Sequence, residues 1–203
     1  MKWKFLLVMI VALMTIVPGK TFAVEIPDVS SGRRYFDYSS GCEVFSGNVY
    51  VHWKKRNLTI TASEAKAQLM SQKVWASGNI NLTQGNMTFK CDNIFVRGKD
   101  RTVDILGSVN FLQNNIISIT SNVAQFSWKS KMADFYGNVK VNVLSTVNIS
   151  SGNDIYSVGS SINGTYDHVQ YNVRDNTIIL LDRNFANIPN ITFPEPDPTE
   201  NRT

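Results

Sequence analysis

Two histidines and two cysteines among 203 residues leave this chain little material for a catalytic or metal site. His52 and His168 each flank aromatic residues in strand-like segments. Neither lies at a spacing from a serine or cysteine that suggests a triad, and neither has a second ligand at zinc spacing. Glycine-rich phosphate loops are missing, as is a convincing amphipathic helix. The expectation is a protein with no enzymatic activity, no metal and no cofactor. Proline is scarce until the end, where four of the six fall from Pro189 onward. There "PNITFPEPDPTENRT" shows no hydrophobic alternation, and residues 189–203 read as a disordered or extended tail.

Excess charge is missing too, once the first residues are set aside. Lys2 and Lys4 precede an apolar run over 5–17, followed by Pro18-Gly19 and a small-residue boundary at Ala23. That run is shorter than the roughly 20 residues that cross a bilayer, so residues 1–23 read as a secretory signal peptide. A retained membrane anchor is the alternative. Removing the leader takes three lysines from the 20 bases and none of the 16 acids, so the net charge of +4 becomes 17 − 16 = +1. No nucleic-acid footprint survives the subtraction. A short N-terminal segment, 24–40, then leads into the patterned body, 41–188.

What that body contains is a repeat. "SGNVYV" (46–51) returns as "SGNINL" (77–82), "GSVNF" (107–111) and "GNVKV" (137–141), so Gly47, Gly78, Gly107 and Gly137 are 31, 29 and 30 residues apart. Two and four residues either side of each glycine stand Glu43, Phe45, Val49, Val51; Val74, Ala76, Ile80, Leu82; Val103, Ile105, Val109, Phe111; and Ala133, Phe135, Val139, Val141. All but Glu43 are apolar, while the intervening positions are mostly Ser, Asn, Asp and Lys. Such alternation marks strands with one buried and one wet face. A glycine on the buried face allows a kink or a close approach.

The remainder of each copy aligns as a second strand (Leu58-x-Ile60-x-Ala62, Met87-x-Phe89-x-Cys91, Ile117-x-Ile119-x-Ser121) and a third (Ala65-x-Ala67-x-Leu69, Ile94-x-Val96, Ala124-x-Phe126-x-Trp128). A partial fifth copy covers 168–185, after an insertion of about 15 residues, expected within 143–160, that the repeat alignment requires. The fold class is all-β: an elongated body of stacked antiparallel strands with an internal repeat of about 30 residues. The first unit (44–51) and the last run (176–185) hold no proline, and are the natural free edges for head-to-tail self-association.

"GNV-x-V", then "L-x-I-x-A-x-x-A", then an aromatic strand leading to the next "GN", resembles the OstA-like domain of the LptA family of lipopolysaccharide-transport proteins. The resemblance covers about residues 41–186, nearly the whole mature chain. It implies an open β-jellyroll in the periplasm, whose inward residues form a groove for the acyl chains of lipid A. It also implies inner- and outer-membrane components of the lipopolysaccharide export machinery as partners. On that reading the groove comprises Val49, Val51, Ile60, Ile80, Leu82, Phe89, Val109, Phe111, Ile117, Ile119, Phe126, Val139 and Val141. A membrane-anchored protein of the same fold and system, and a structural β-repeat protein with a filled core, are the rivals. Lys54, Lys55 and Arg56 form the one basic cluster, suited either to a solvated turn or to head-group phosphates. Cys91 takes the inward slot of Ala62 and Ser121 and reads as a small buried hydrophobe. A Cys42–Cys91 disulfide is the single bridge available, but it would have to join opposed faces.

Overall fold

The structure, a computed structural model, describes residues 28–54, 57–68, 70–113, 116–145, 147–151, 154–158, 165–181 and 191–201. The leader with its cleavage site, and Lys55 and Arg56, lie outside them. Seven long strands carry the repeat: β3 (Cys42–Trp53), β4 (Leu58–Gln68), β5 (Lys73–Gln84), β6 (Met87–Arg97), β7 (Thr102–Gln113), β8 (Ile117–Ser127) and β9 (Met132–Val143). Two short strands precede them, β1 (Asp28–Ser30) and β2 (Arg33–Asp37). Four follow, β10 (Val147–Ser151), β11 (Asp154–Val158), β12 (Tyr166–Asn172) and β13 (Thr177–Leu181). All thirteen join one sheet, ordered β1-β3-β4-β5-β6-β7-β8-β9-β12-β13-β10-β11, with β2 also on β3.

The repeated glycines sit mid-strand. Each begins a pair with positive φ: Gly47–Asn48 at 76° and 53°, Gly78–Asn79 at 78° and 49°, Gly107–Ser108 at 78° and 45°, Gly137–Asn138 at 72° and 52°. Glycine adopts this region freely and asparagine more readily than most residues. The ladder skips at the same place. Ser46 pairs with Glu64 and the next pair is Val49 with Ala62, so two residues oppose one in a β-bulge. The same shift recurs between Ser77 and Ile80, and between Leu106 and Val109. Bent at its bulge, each strand turns apolar residues from both of its halves onto one interior. Phe45 and Val49 line the same cavity, as do Ala62 and Ala65 across the ladder. The sheet thus folds over along the row of bulges into an open β-jellyroll. The second and third short strands expected in each copy are one continuous strand, bent rather than broken at the polar pair.

Gly78→Ala is expected to destabilise the fold by about 1–3 kcal/mol, the usual cost of forcing a side chain into this backbone region. The added carbon would also stand 2.7 Å from Ser63 Cβ on β4. A lower urea midpoint at unchanged slope is the expected result.

Both edges differ from the sequence expectation. β3 is covered end to end by β2, which pairs with residues 42–46, and β1, which pairs with 50–52. At the far side β13 lies between β12 and β10, the latter in parallel register, which leaves β11 outermost. The hairpin β10–β11 occupies the segment expected as an insertion. Because it departs after β9 and packs beyond β13, β9 and β12 remain neighbours, as the repeat requires.

The interior is not uniform. One end is filled: Ile117, Ile119, Phe135, Val139, Val169, Tyr171 and Ile178 are all fully buried. Phe111 bridges this mass, with ring centroids 6.0 Å from Phe135 and 5.7 Å from Tyr171. The Tyr171 hydroxyl donates to Gln113 Oε1 at 2.7 Å, which satisfies the one polar group that the cluster brings in. In the β3–β6 half the corresponding inward side chains include Ala62, Ala65, Ala67, Ala76 and Cys91. They are too small to meet across the fold, and they leave a cavity.

Candidate functional site

The cavity measures about 420 Å³ and is walled by apolar side chains from β3 to β9. Of the thirteen residues expected to form a groove, eight line it: Val49, Val51, Ile60, Ile80, Leu82, Phe89, Phe111 and Phe126. Ile60 and Leu82 are cross-strand partners, as are Leu82 and Phe89. These three are only partly buried, so water reaches this wall. The other five, Val109, Ile117, Ile119, Val139 and Val141, pack in the filled half with no more than 4% exposure. The groove expected along the whole repeat is therefore hollow at one end and solid at the other. Alternation reports which face a residue is on, not whether the facing side chains are large enough to touch.

Three polar residues join the lining: Gln84, Gln125 and Lys131. Lys131 is the one charged member among the described residues. Sequence reading missed it because it precedes β9 in a turn, at a φ of 63°, outside any alternation. Lys54 is exposed beside the end of β3, and is not part of the cavity wall. Glu43, the exception in the apolar pattern, is buried at 4% exposure and forms a salt bridge with Arg34 of β2, whose guanidinium also lies 5.2 Å from the Phe45 ring centroid. A strand outside the repeat thus neutralises the one charge in the apolar pattern around the glycines.

Cys42 and Cys91 are separate buried thiols, so the bridge weighed from sequence is not formed. Cys42 Sγ donates to the Ser40 carbonyl at 3.6 Å, while Cys91 faces the cavity. Burial first, then the charge of Asp92, pushes the Cys91 thiol from its ordinary 9.0 up to about 12. The folded chain keeps this proton where an unfolded chain loses it. The contribution is fully present below pH 9 and is lost as pH rises toward 12. Urea midpoints are expected to fall from about pH 9 upward, and less steeply in Cys91→Ala. Burial also raises Tyr136 to about 12, so part of the alkaline decline remains in that variant.

Of the histidines, His52 Nδ1 lies 3.2 Å from Thr59 Oγ1, and His168 Nε2 lies 2.9 Å from Asp134 Oδ1. His168 stacks on Tyr136 at 4.3 Å, in the position of a packed outer-face residue rather than a cavity group. Among the described residues no cluster of three or more His, Cys, Asp or Glu is placed to hold a metal ion.

An apolar cavity inside a bent-strand sheet meets a matching family. The family model described as "LptA/(LptD N-terminal domain) LPS transport protein" matches residues 59–190. The chain belongs to this family. The match begins within β4 and runs past β13, so it covers most of the cavity wall and all of the filled half. Among solved structures the chain is similar to LptH, described as the LptA homologous periplasmic component of the conserved lipopolysaccharide transport device from Pseudomonas aeruginosa. The two share 12% identity over 68% of this chain and 95% of that one, with a TM-score of 0.48. No curated protein matches the chain.

Proposed function

We propose that this protein carries lipopolysaccharide through the periplasm, from inner- to outer-membrane components of the export machinery, with acyl chains seated in the apolar cavity. The observation that carries the reading is a wall of apolar side chains in a member of a lipopolysaccharide-transport family, with one charged side chain among its lining residues. Burying a methylene is worth about 0.8 kcal/mol, so full enclosure of a 12-carbon chain would gain roughly 10 kcal/mol. Several chains held that tightly could not be passed on. A wall whose rim residues Ile60, Leu82 and Phe89 stay partly exposed suits transfer better. On this reading Lys131, from the cavity lining, would meet a head-group phosphate. A filled structural repeat accounts for the solid end but not for the hollow one.

Transfer between copies or partners would run along the edges. β1 and β2 form one edge, and Tyr35, Phe36 and Tyr38 stand exposed on or beside β2. An unpaired edge with exposed aromatics favours strand addition. β11 offers the opposite edge for head-to-tail association. Export would follow cleavage after Ala23, and an intact mass starting at Val24 separates this reading from a membrane-anchored protein. The direct test of the carrier role is mass spectrometry of lipid retained by protein isolated from its native periplasm. Lipid A species at about one per chain is the expected result, and protein consistently free of glycolipid would overturn the reading.

A further inference from the structure

The outer face of β5 and β6 holds two aromatics that the cavity does not use. Trp75 and Phe95 are cross-strand partners, stacked with ring centroids 5.1 Å apart. They lie on the parity opposite to Val74, Ala76, Ile94 and Val96, which line the interior. Yet Phe95 is only 2% exposed. The tail contributes to that cover. Phe193 lies 5.9 Å from the Phe95 ring, and the indole Nε1–H of Trp75 donates to the Pro194 carbonyl at 2.8 Å. Three residues further, the Asp197 carbonyl accepts from Gln68 Nε2, also at 2.8 Å. Gln68 is 1% exposed. Its amide nitrogen also reaches the Ser40 carbonyl at 2.9 Å, and its Oε1 accepts from Ser71 Oγ at 3.2 Å.

The chemistry of the segment matches the chemistry of the face. Prolines at 194, 196 and 198 remove backbone donors but keep their carbonyls, and they hold the chain extended before it binds, so little entropy is left to lose. A surface that recognises such a segment supplies aromatic faces and N–H donors. Here the two carbonyls engaged, of Pro194 and Asp197, are three residues apart, the spacing at which the carbonyls of a polyproline II helix share a face. One donor is an indole braced by Phe95, and the other is a buried amide fixed by Ser71. Neither is a mobile surface group.

We propose that Trp75, Phe95 and Gln68 form a recognition site for an extended, proline-bearing segment, filled in the folded chain by its own residues 193–197. The tail then acts as a strap. It ties the C-terminal end of the chain to β4–β6 and, through Gln68, to the turn before β3 that adjoins the β1–β2 edge. The site is on the outer face, so its occupancy does not compete with the cavity, and the inference stands apart from the carrier reading.

The test uses the full chain and a fluorescently labelled peptide of residues 190–203. In the wild type the tethered tail competes at millimolar effective concentration, so the peptide should bind poorly. Phe193→Ser loosens the tether, and the peptide should then bind at least tenfold more tightly. Adding Trp75→Phe, which keeps an aromatic but removes the N–H donor, should return binding to the wild-type level. In the unaltered protein, the Trp75 indole proton should exchange slowly with solvent by NMR, a readout that does not depend on any variant folding. Equal peptide binding in wild type and Phe193→Ser, or fast exchange of that proton, would overturn the proposal. Phe193→Ser turning an oligomer into a monomer in sedimentation would overturn the assignment to the chain's own tail, and give the site to a neighbouring copy.

Discussion

Leu82→Asp is expected to weaken lipopolysaccharide binding by at least tenfold while leaving the protein folded. Leu82 lies on the cavity wall between Ile60 and Phe89, packed with Leu58 and Ile60 in a small cluster apart from the main core. It is partly buried, so an introduced carboxylate can stay hydrated in the empty protein. An acyl chain laid over it would strip that hydration without offering a hydrogen bond. A penalty of about 1.5–3 kcal/mol corresponds to roughly ten- to over a hundredfold in affinity. Thr83→Asp, one residue on and on the outward parity, serves as the control and should bind as the wild type does. Displacement of a fluorescent lipopolysaccharide reads both, with circular dichroism confirming the fold.

Phe135→Ala should behave in the opposite way, as a stability variant. Its ring is fully buried and touches the Phe111 ring in the filled half. Removing it leaves a void that strands hydrogen-bonded on both sides cannot collapse to fill. The expected loss is about 3–5 kcal/mol, a large share of the roughly 5–15 kcal/mol typical of a domain. The denaturant midpoint should drop steeply at unchanged slope. A shift under about 1 kcal/mol would mean that this half is not packed as described, and that Val109, Ile117, Ile119, Val139 and Val141 face open space after all.

The contrast between these two sites shows how far the sequence could be read. The strands were legible because alternation around Gly47, Gly78, Gly107 and Gly137 is a local property, and bulges at Gly-Asn or Gly-Ser pairs have a local cause. Face assignment followed, and Ile60, Leu82 and Phe89 line the cavity where alternation put them on the inward face. Whether an inward residue meets void or side chain depends on partners far along the chain. Phe111 meets Tyr171, 60 positions away, and no periodicity announces that contact. A signal was present in the alanines at 62, 65, 67 and 76, whose crowding into β4 and β5 marks the half that cannot fill itself. The edges were misplaced for a related reason. Residues 176–185 lack proline and look free to pair, but a hairpin inserted before them returns to take that edge. The tail, read as disordered or extended, meets the sheet through residues 193–197 and then forms a 3-10 turn over Pro198–Asn201. Its docking rests on Trp75 and Gln68, which sit far away in sequence.

The central claim is that acyl chains occupy the apolar cavity. Site-specific photo-crosslinking in cells tests it most directly, with the reactive residue placed in turn at Phe89, inside the wall, and at its exposed neighbour Lys90. Lipopolysaccharide adducts from position 89 and none from position 90 are predicted. Equal labelling at both positions, or none at position 89 in cells actively exporting lipopolysaccharide, would contradict the account.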